Sequence, residues 1–311
     1  MPTRNNPLLL CVLGPTASGK THLAAKLAHI LNGEIISADS RQVYKEMTIG
    51  TGKDLDEYVI DGQTIPYHLI DIVDVGHKYN IYEFRRDFKN AYKDIAKRDK
   101  LPILCGGSGL YIESVLGNYR LDYVPFNRGL RQKCSTLSME ELTELLQQKK
   151  KLHNTSDTTD RERLIRALEI AVYNEGYPAL AEKFAPNYKL FYINVERDCL
   201  RQRIATRLAQ RMENGLIEEV QTLMQTGVDL HYYGLEYRFV SNYLNGTIEY
   251  NNMLEQLEIA IGQFAKRQQT WFARMKRKGF ELIDIDESMS DDEKLGFIIQ
   301  NGVGMQEEEE E

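Results

Sequence analysis

The stretch that most constrains this chain is Leu8–Thr21, LLLCVLGPTASGKT. A short apolar run reads as a buried strand and breaks at Gly14. Five residues on come Gly19, Lys20 and Thr21, and then Leu23, Ala24, Leu27, Ala28 and Leu31 recur at helical spacing. Strand, G-x-x-x-x-G-K-T loop and helix follow one another in the order a phosphate-binding loop needs. Gly14 and Gly19 permit backbone angles that a Cβ forbids. With Thr16, Ala17 and Ser18 between them, the loop turns its N–H groups inward at an anion, beside the positive end of a helix. Lys20 adds a mobile charge, and the Thr21 hydroxyl is a ligand for Mg²⁺. A phosphate or pyrophosphate site is expected. Its chemistry stays open, because this loop serves many unrelated activities.

Two further turns belong to the same kind of sheet. Glu34–Ser40 reads as a second strand ending at Asp39, and Leu101–Cys105 as a buried strand running into Gly106–Gly107–Ser108–Gly109. In a doubly wound sheet, ligands sit beyond the carboxyl ends of the strands. Asp39 there is either a general base or an ordinary turn cap. Ser108 at a helix start either binds an anion or caps the helix. Tyr67–Val73 reads as a third strand, Tyr82–Lys97 as an amphipathic helix, Tyr188–Val195 and Phe280–Ile285 as later strands.

From about Asp122 the composition turns helical, with patterns over Met139–Lys151 and Asp160–Tyr173 and basic residues such as Arg128, Arg131 and Lys133. A long helix is expected over Asp198–Gln225, with Arg203 and Arg207 on one face. Another, Gln256–Arg277, ends in Lys266, Arg267, Arg274 and Lys276 around Trp271 and Phe272, a mixture that meets nucleic acid through phosphate and stacking contacts. The net charge of −7 is misleading: Asp284–Glu311 holds eleven acids against Lys294, which leaves residues 1–283 at +3. An anionic polymer is therefore compatible with the body of the chain. The four cysteines form no C-x-x-C pair and fit a reducing cytoplasm; the six histidines show no zinc spacing. No apolar run approaches a membrane span, and Met1–Pro7 has no signal-peptide character.

The ordered set of motifs resembles the tRNA dimethylallyltransferases, or tRNA isopentenyltransferases. The matching pieces are Gly14–Thr21, Asp39–Tyr44, Ile49–Thr51, His68–Asp71, Gly106–Tyr111, Arg163–Glu169, Arg203 and Ile204 with Arg207, and Lys266–Trp271. The resemblance implies an α/β fold: a P-loop NTPase-like parallel sheet flanked by helices, with a helical insertion domain. Residues 1–121 and 187–286 would form the core, 122–186 the RNA-binding insertion, and 287–311 an acidic, disordered tail. It implies transfer of a dimethylallyl group from its diphosphate to N6 of adenosine 37, next to the anticodon of tRNA.

In that reading Gly14, Thr16, Ala17, Ser18, Gly19, Lys20, Thr21, Arg203 and Arg207 hold the diphosphate, with Mg²⁺ on Thr21. Asp39, Ser108 and Arg203 are catalytic; Ser108 stands where the family usually has Thr. The tRNA would be met by Asp39, Ser40, Arg41, Gln42, Ser108, Arg131, Glu162, Arg163, Leu164, Ile165, Arg166, Tyr237, Arg238, Lys266 and Arg267. A cytoplasmic monomer is expected, with no membrane partner. Two departures fall on the RNA side: Leu235–Glu236–Tyr237–Arg238 replaces a Gly-Tyr-Arg or Gly-Tyr-Lys segment, and Asp157–Asp160 a His-Pro-Asn-Asp stretch. The alternatives are prenyl transfer to free adenine nucleotides and an ATP-dependent small-molecule kinase with Asp71 ordering Mg²⁺.

Overall fold

The computed structural model describes residues 7–117, 123–149, 158–176 and 184–304. The strands in chain order are β1 (Leu8–Leu13), β2 (Gly33–Ala38), β3 (Val59–Ile60), β4 (Gln63–Thr64), β5 (Tyr67–His68), β6 (Leu101–Gly106), β7 (Asn187–Asn194) and β8 (Leu282–Asp286). The helices are α1 (Lys20–Ile30), α2 (Ile81–Lys97), α3 (Gly109–Leu116), α4 (Arg128–Ser135), α5 (Met139–Lys149), α6 (Arg161–Gly176), α7 (Arg197–Glu213), α8 (Leu216–Met224), α9 (Leu235–Leu244), α10 (Tyr250–Arg277) and α11 (Asp291–Gly302). Two compact units result, one drawn from Met1–Asn118 and Ala185–Glu311, the other from Tyr119–Phe184.

The first unit is a six-stranded sheet in the order β5-β2-β6-β1-β7-β8, every pairing parallel. All six residues of β1 and of β2 are buried. That is why both read as continuous apolar runs rather than alternating ones: a parallel strand is covered by helices on both faces. Because every strand runs the same way, the carboxyl ends of β1, β2 and β6 deliver Gly14, Asp39 and Gly107 to one edge. Register fixes this alignment, with Leu13 opposite Gly106 and Ala38 opposite Gly106. A side chain on Gly106 would overlap the Ala38 carbonyl, so only glycine permits the approach.

Three expectations are corrected. The strand expected over Tyr67–Val73 joins the sheet at Tyr67–His68, and after left-handed turns at Leu69 and Asp71 Val73 makes an isolated parallel bridge to Tyr44. The single helix expected over Asp198–Gln225 is two, broken where Gly215 takes φ +96°. The acidic end is not structureless from residue 287. Ser290 and Glu293 form a capping box that starts α11, and Leu295 and Ile298 are buried. Asp291 ties α11 to α1 through Lys26 at 3.0 Å. Glu307–Glu311 lie outside the described residues, as does Asp157.

The second unit has its own small core, in which Cys134 of α4, Leu142 and Leu146 of α5 and Leu164, Ile165 and Leu168 of α6 pack together. Among the described residues, no helix is long and apolar enough to cross a membrane.

Candidate active site

Beyond the carboxyl ends of the first unit's strands lies a cavity of about 1320 Å³. A small-molecule pocket is typically ~300–1,000 Å³, so this one has room for more than a diphosphate. The phosphate loop forms its floor. Ala17 and Gly19 both have positive φ, which turns the loop back over the start of α1. Gly14, contrary to expectation, does not take a positive φ; a Cβ there would sit 2.5 Å from the Ser18 hydroxyl, which would have to move aside. That hydroxyl is buried with no protein partner among the described residues. Lys20 donates to the Pro15 carbonyl at 3.0 Å. Burial holds its ammonium below its ordinary range, and the Arg207 charge adds to the effect, while Asp39 opposes it. An anion in the loop would reverse that balance.

Arg203, Arg207 and Arg211 are spaced one α7 turn apart and all line the cavity. Each meets a carboxylate from a different segment. Arg203 lies 3.7 Å from Glu287, Arg207 pairs with Asp54, and Arg211 lies 3.0 Å from Glu236. Burial and the Arg207 charge depress the Arg211 guanidinium; burial raises Glu236 against the pull of Arg211. Glu236, which would face RNA phosphate badly, is instead consumed by Arg211.

Asp39 lines the same cavity. Its carboxylate accepts the Arg41 N–H at 2.8 Å, which fixes its rotamer at the end of β2. Ser108 does not cap α3 with its side chain; its Oγ accepts the Ser40 N–H at 3.1 Å and so ties the β6 turn to the β2 turn. Gln268 of α10 makes a second tie, accepting the Thr16 N–H at 2.8 Å and donating to the Gly107 carbonyl at 3.0 Å. Cys105, at the end of β6, has its thiol pushed up to about 12 by burial, against the Lys20 charge. It is a neutral packing group beneath the loop.

The structure therefore brings Thr16 to Thr21, Asp39, Ser40, Arg41, Gln42, Ser108, Arg203, Arg207, Arg238 and Arg267 to one cavity, with Gly14 at the end of β1 outside its lining. Several residues expected to touch RNA are placed otherwise. Gln42 lines the cavity but is buried, its amide committed to Ser37 at 3.0 Å and the Gly52 carbonyl at 2.8 Å. Tyr237 is fully buried; its ring lies against Gly50 and its hydroxyl donates to Glu219 at 2.8 Å. Leu164 and Ile165 belong to the core of the second unit.

Arg131 and Arg166 are committed to the buried carboxylate of Glu169, at 2.9 and 3.0 Å, and Glu162 bonds Arg131 at 2.8 Å. Arg163 and Lys266 are exposed. Asp71, the metal ligand a kinase would need, pairs with Lys53, whose side chain is wholly buried and also donates to the Tyr44 carbonyl at 2.7 Å. Sequence reasoning missed Gln268, Glu236 and Glu287. Gln268 stood inside a quoted motif, but its two partners are more than 150 residues away in the chain.

Comparison with known proteins shows the family. The family model described as IPP transferase matches residues 42–276, and one described as isopentenyl transferase matches residues 8–67. The tRNA dimethylallyltransferase 2 of Phocaeicola vulgatus is 51% identical over 295 residues, covering 94% of this chain and 96% of that protein. The tRNA isopentenylpyrophosphate transferase of Bacillus halodurans superposes with a TM-score of 0.71 at 30% identity, over 97% of each chain. The tRNA delta(2)-isopentenylpyrophosphate transferase of Staphylococcus epidermidis does so with 0.69 at 31% identity, over 95% of this chain and 98% of the other. With a phosphate loop, an arginine row and a strand-end carboxylate around one cavity, and with that similarity along nearly its whole length, this chain belongs to the IPP transferase family, among the tRNA dimethylallyltransferases.

Proposed function

We propose that this protein moves a dimethylallyl group from dimethylallyl diphosphate to N6 of adenosine 37, beside the anticodon of tRNA. The observation that carries the reading is that the phosphate loop, Arg203, Arg207 and the strand-end residue Asp39 all line one cavity. The allylic C–O bond breaks as the N6–carbon bond forms, and pyrophosphate leaves with the bonding pair. Lys20, the loop N–H groups, Arg203 and Arg207 gather the charge that accumulates on the departing oxygens. Asp39 takes the proton that the amine sheds on alkylation. A carboxylate fixed by the Arg41 N–H is oriented before substrate arrives, and general-base help of this kind is worth about 100-fold or more. Ser108 and Arg41, at the same edge, orient the acceptor. The adenine leaves its stack to reach them, and the cavity's size accommodates it.

Among the described residues no three His, Cys, Asp or Glu side chains cluster to hold a metal. The donor set still fits Mg²⁺, which commonly takes a single protein hydroxyl or carboxylate and completes its shell with substrate phosphate and water. Thr21 would hold it, and the ion would neutralise diphosphate charge.

On the RNA side the exposed cations Arg163 and Lys266 make phosphate contacts, and Arg238 and Arg267 line the cavity mouth. Arg131 and Arg166 also hold the second unit together through Glu169, and the exposed Glu162 bonds Arg131. The setting is the cytoplasm, and the working unit a monomer. The test is incubation with labelled dimethylallyl diphosphate, Mg²⁺ and unmodified tRNA. Label in the RNA, lost with Asp39→Asn, is the expected result. Label in free adenine nucleotide alone, or ATP consumed with none in RNA, overturns the reading.

A further inference from the structure

Glu287 lies eleven residues beyond the end of the IPP transferase match at 276. It follows the last strand of the sheet, in the segment expected from sequence to be tail. Its carboxylate is mostly buried, at 18% exposed, and is shared among three groups at the start of α7. It accepts the Glu196 N–H at 3.0 Å, where that residue caps the helix. It receives the Cys199 thiol, whose ionisation it suppresses. It stands 3.7 Å from the Arg203 guanidinium. Lys294, which lines the cavity, donates to the Glu287 carbonyl at 3.1 Å, and Asp291 binds α1 through Lys26. The turn bearing Glu287 is thereby fixed from both sides of the sheet edge.

We infer that Glu287 is a positioning residue for Arg203: it holds the guanidinium at the mouth of the phosphate cradle and yields it to the diphosphate. The inference rests on the functional reading above. A separation of 3.7 Å with Arg203 40% exposed is a tether and not a locked pair. Such a contact orients a side chain without tying up its donors, so an incoming polyanion outcompetes it. The backbone N–H of Glu196 needs only an oxygen, which an amide also supplies. Glu287→Gln therefore separates the two roles: the cap persists and the ionic tether is lost.

The variant should turn over more slowly, by about fivefold, the scale of a partly exposed ion pair. Its KM for dimethylallyl diphosphate should stay level or fall, because one negative charge near the anion has gone. Inorganic pyrophosphate, measured by calorimetry, should bind at least as tightly as to the unaltered protein. The melting temperature should hold. In an Arg203→Ala background the substitution should have no further effect on turnover. Unchanged turnover, or a loss that persists without Arg203 or tracks a fall in melting temperature, would overturn the inference. If the unaltered protein binds pyrophosphate but prenylates no RNA, the functional reading falls, and the pyrophosphate comparison still decides the role of Glu287.

Discussion

Replacing Gly52 by alanine should damage stability and catalysis together, by an amount that can be worked out in parts. Gly52 takes φ +60°, and a Cβ built on it would overlap an Arg211 guanidinium nitrogen and lie 2.9 Å from one of Arg207. The left-handed backbone alone costs an L-residue about 1–2 kcal/mol. The guanidinium then has to retreat, which disturbs its bond to Glu236. Breaking a fully buried pair costs about 3–5 kcal/mol. With side chains 11% and 14% exposed, water recovers part of that, so about 1–3 kcal/mol is reasonable here. The sum is about 2–5 kcal/mol.

Gly62 is the control. It sits at φ +75° in the turn between β3 and β4, and an added Cβ there would have nothing among the described residues within 4 Å, so Gly62→Ala costs only the backbone strain of about 1–2 kcal/mol. Urea titration of both variants gives the difference, and single-turnover prenyl transfer reads the arginine row. Gly52→Ala should lose at least tenfold in transfer while Gly62→Ala keeps full rate. Equal stability losses, or full transfer by Gly52→Ala, would show that the arginines do not depend on the bare backbone beneath them.

Three further outcomes are expected. Asp39→Asn should abolish transfer yet bind pyrophosphate as before; turnover within threefold of normal would remove Asp39 as base. Arg163→Glu should weaken tRNA binding and flatten its salt dependence by about one unit of slope, whereas Arg166→Glu should lower the melting temperature by setting a second negative charge beside Glu169 and leaving Arg131 as its one remaining arginine partner; filter binding at several salt concentrations with parallel melts separates the two. Glu34 is buried, which by itself would raise its carboxyl, but bonds to Arg98 and His68 hold it below its ordinary 4.5. An acid so depressed contributes fully above 4.5 and loses its contribution as pH falls through the lower folded value. The stability gap between the unaltered protein and Glu34→Gln, seen by urea at pH 7, should therefore shrink below about pH 4; a gap that widens in acid would contradict the pairing.

The parallel core was legible because buried strands announce themselves as apolar runs, and because each functional residue follows such a run directly: Gly14 after β1, Asp39 after β2, Ser108 after β6. Those positions depend on local order alone. Partnerships across the fold were hidden. Nothing near Glu236 in the sequence points to Arg211, and nothing near Lys53 points to the burial of its ammonium beside Asp71. Composition misled at the C-terminus, where acids masked the apolar spacing of Leu295 and Ile298; the Ser290–Glu293 capping box was the available signal. In α6 the arginines that look like an RNA-facing stripe are divided by burial, Arg163 outward and Arg166 onto Glu169.

The Gln268 amide bridge has a mechanical consequence. One planar group of fixed length spans the loop that grips the leaving group and the turn that faces the acceptor, so neither can shift without carrying the other and rotating the long helix behind them. On the proposed reading, the spacing between donor and acceptor would then follow one amide spacer rather than two independent loops. Shortening that spacer by one methylene, as in Gln268→Asn, would be expected to misalign donor and acceptor while leaving each able to bind.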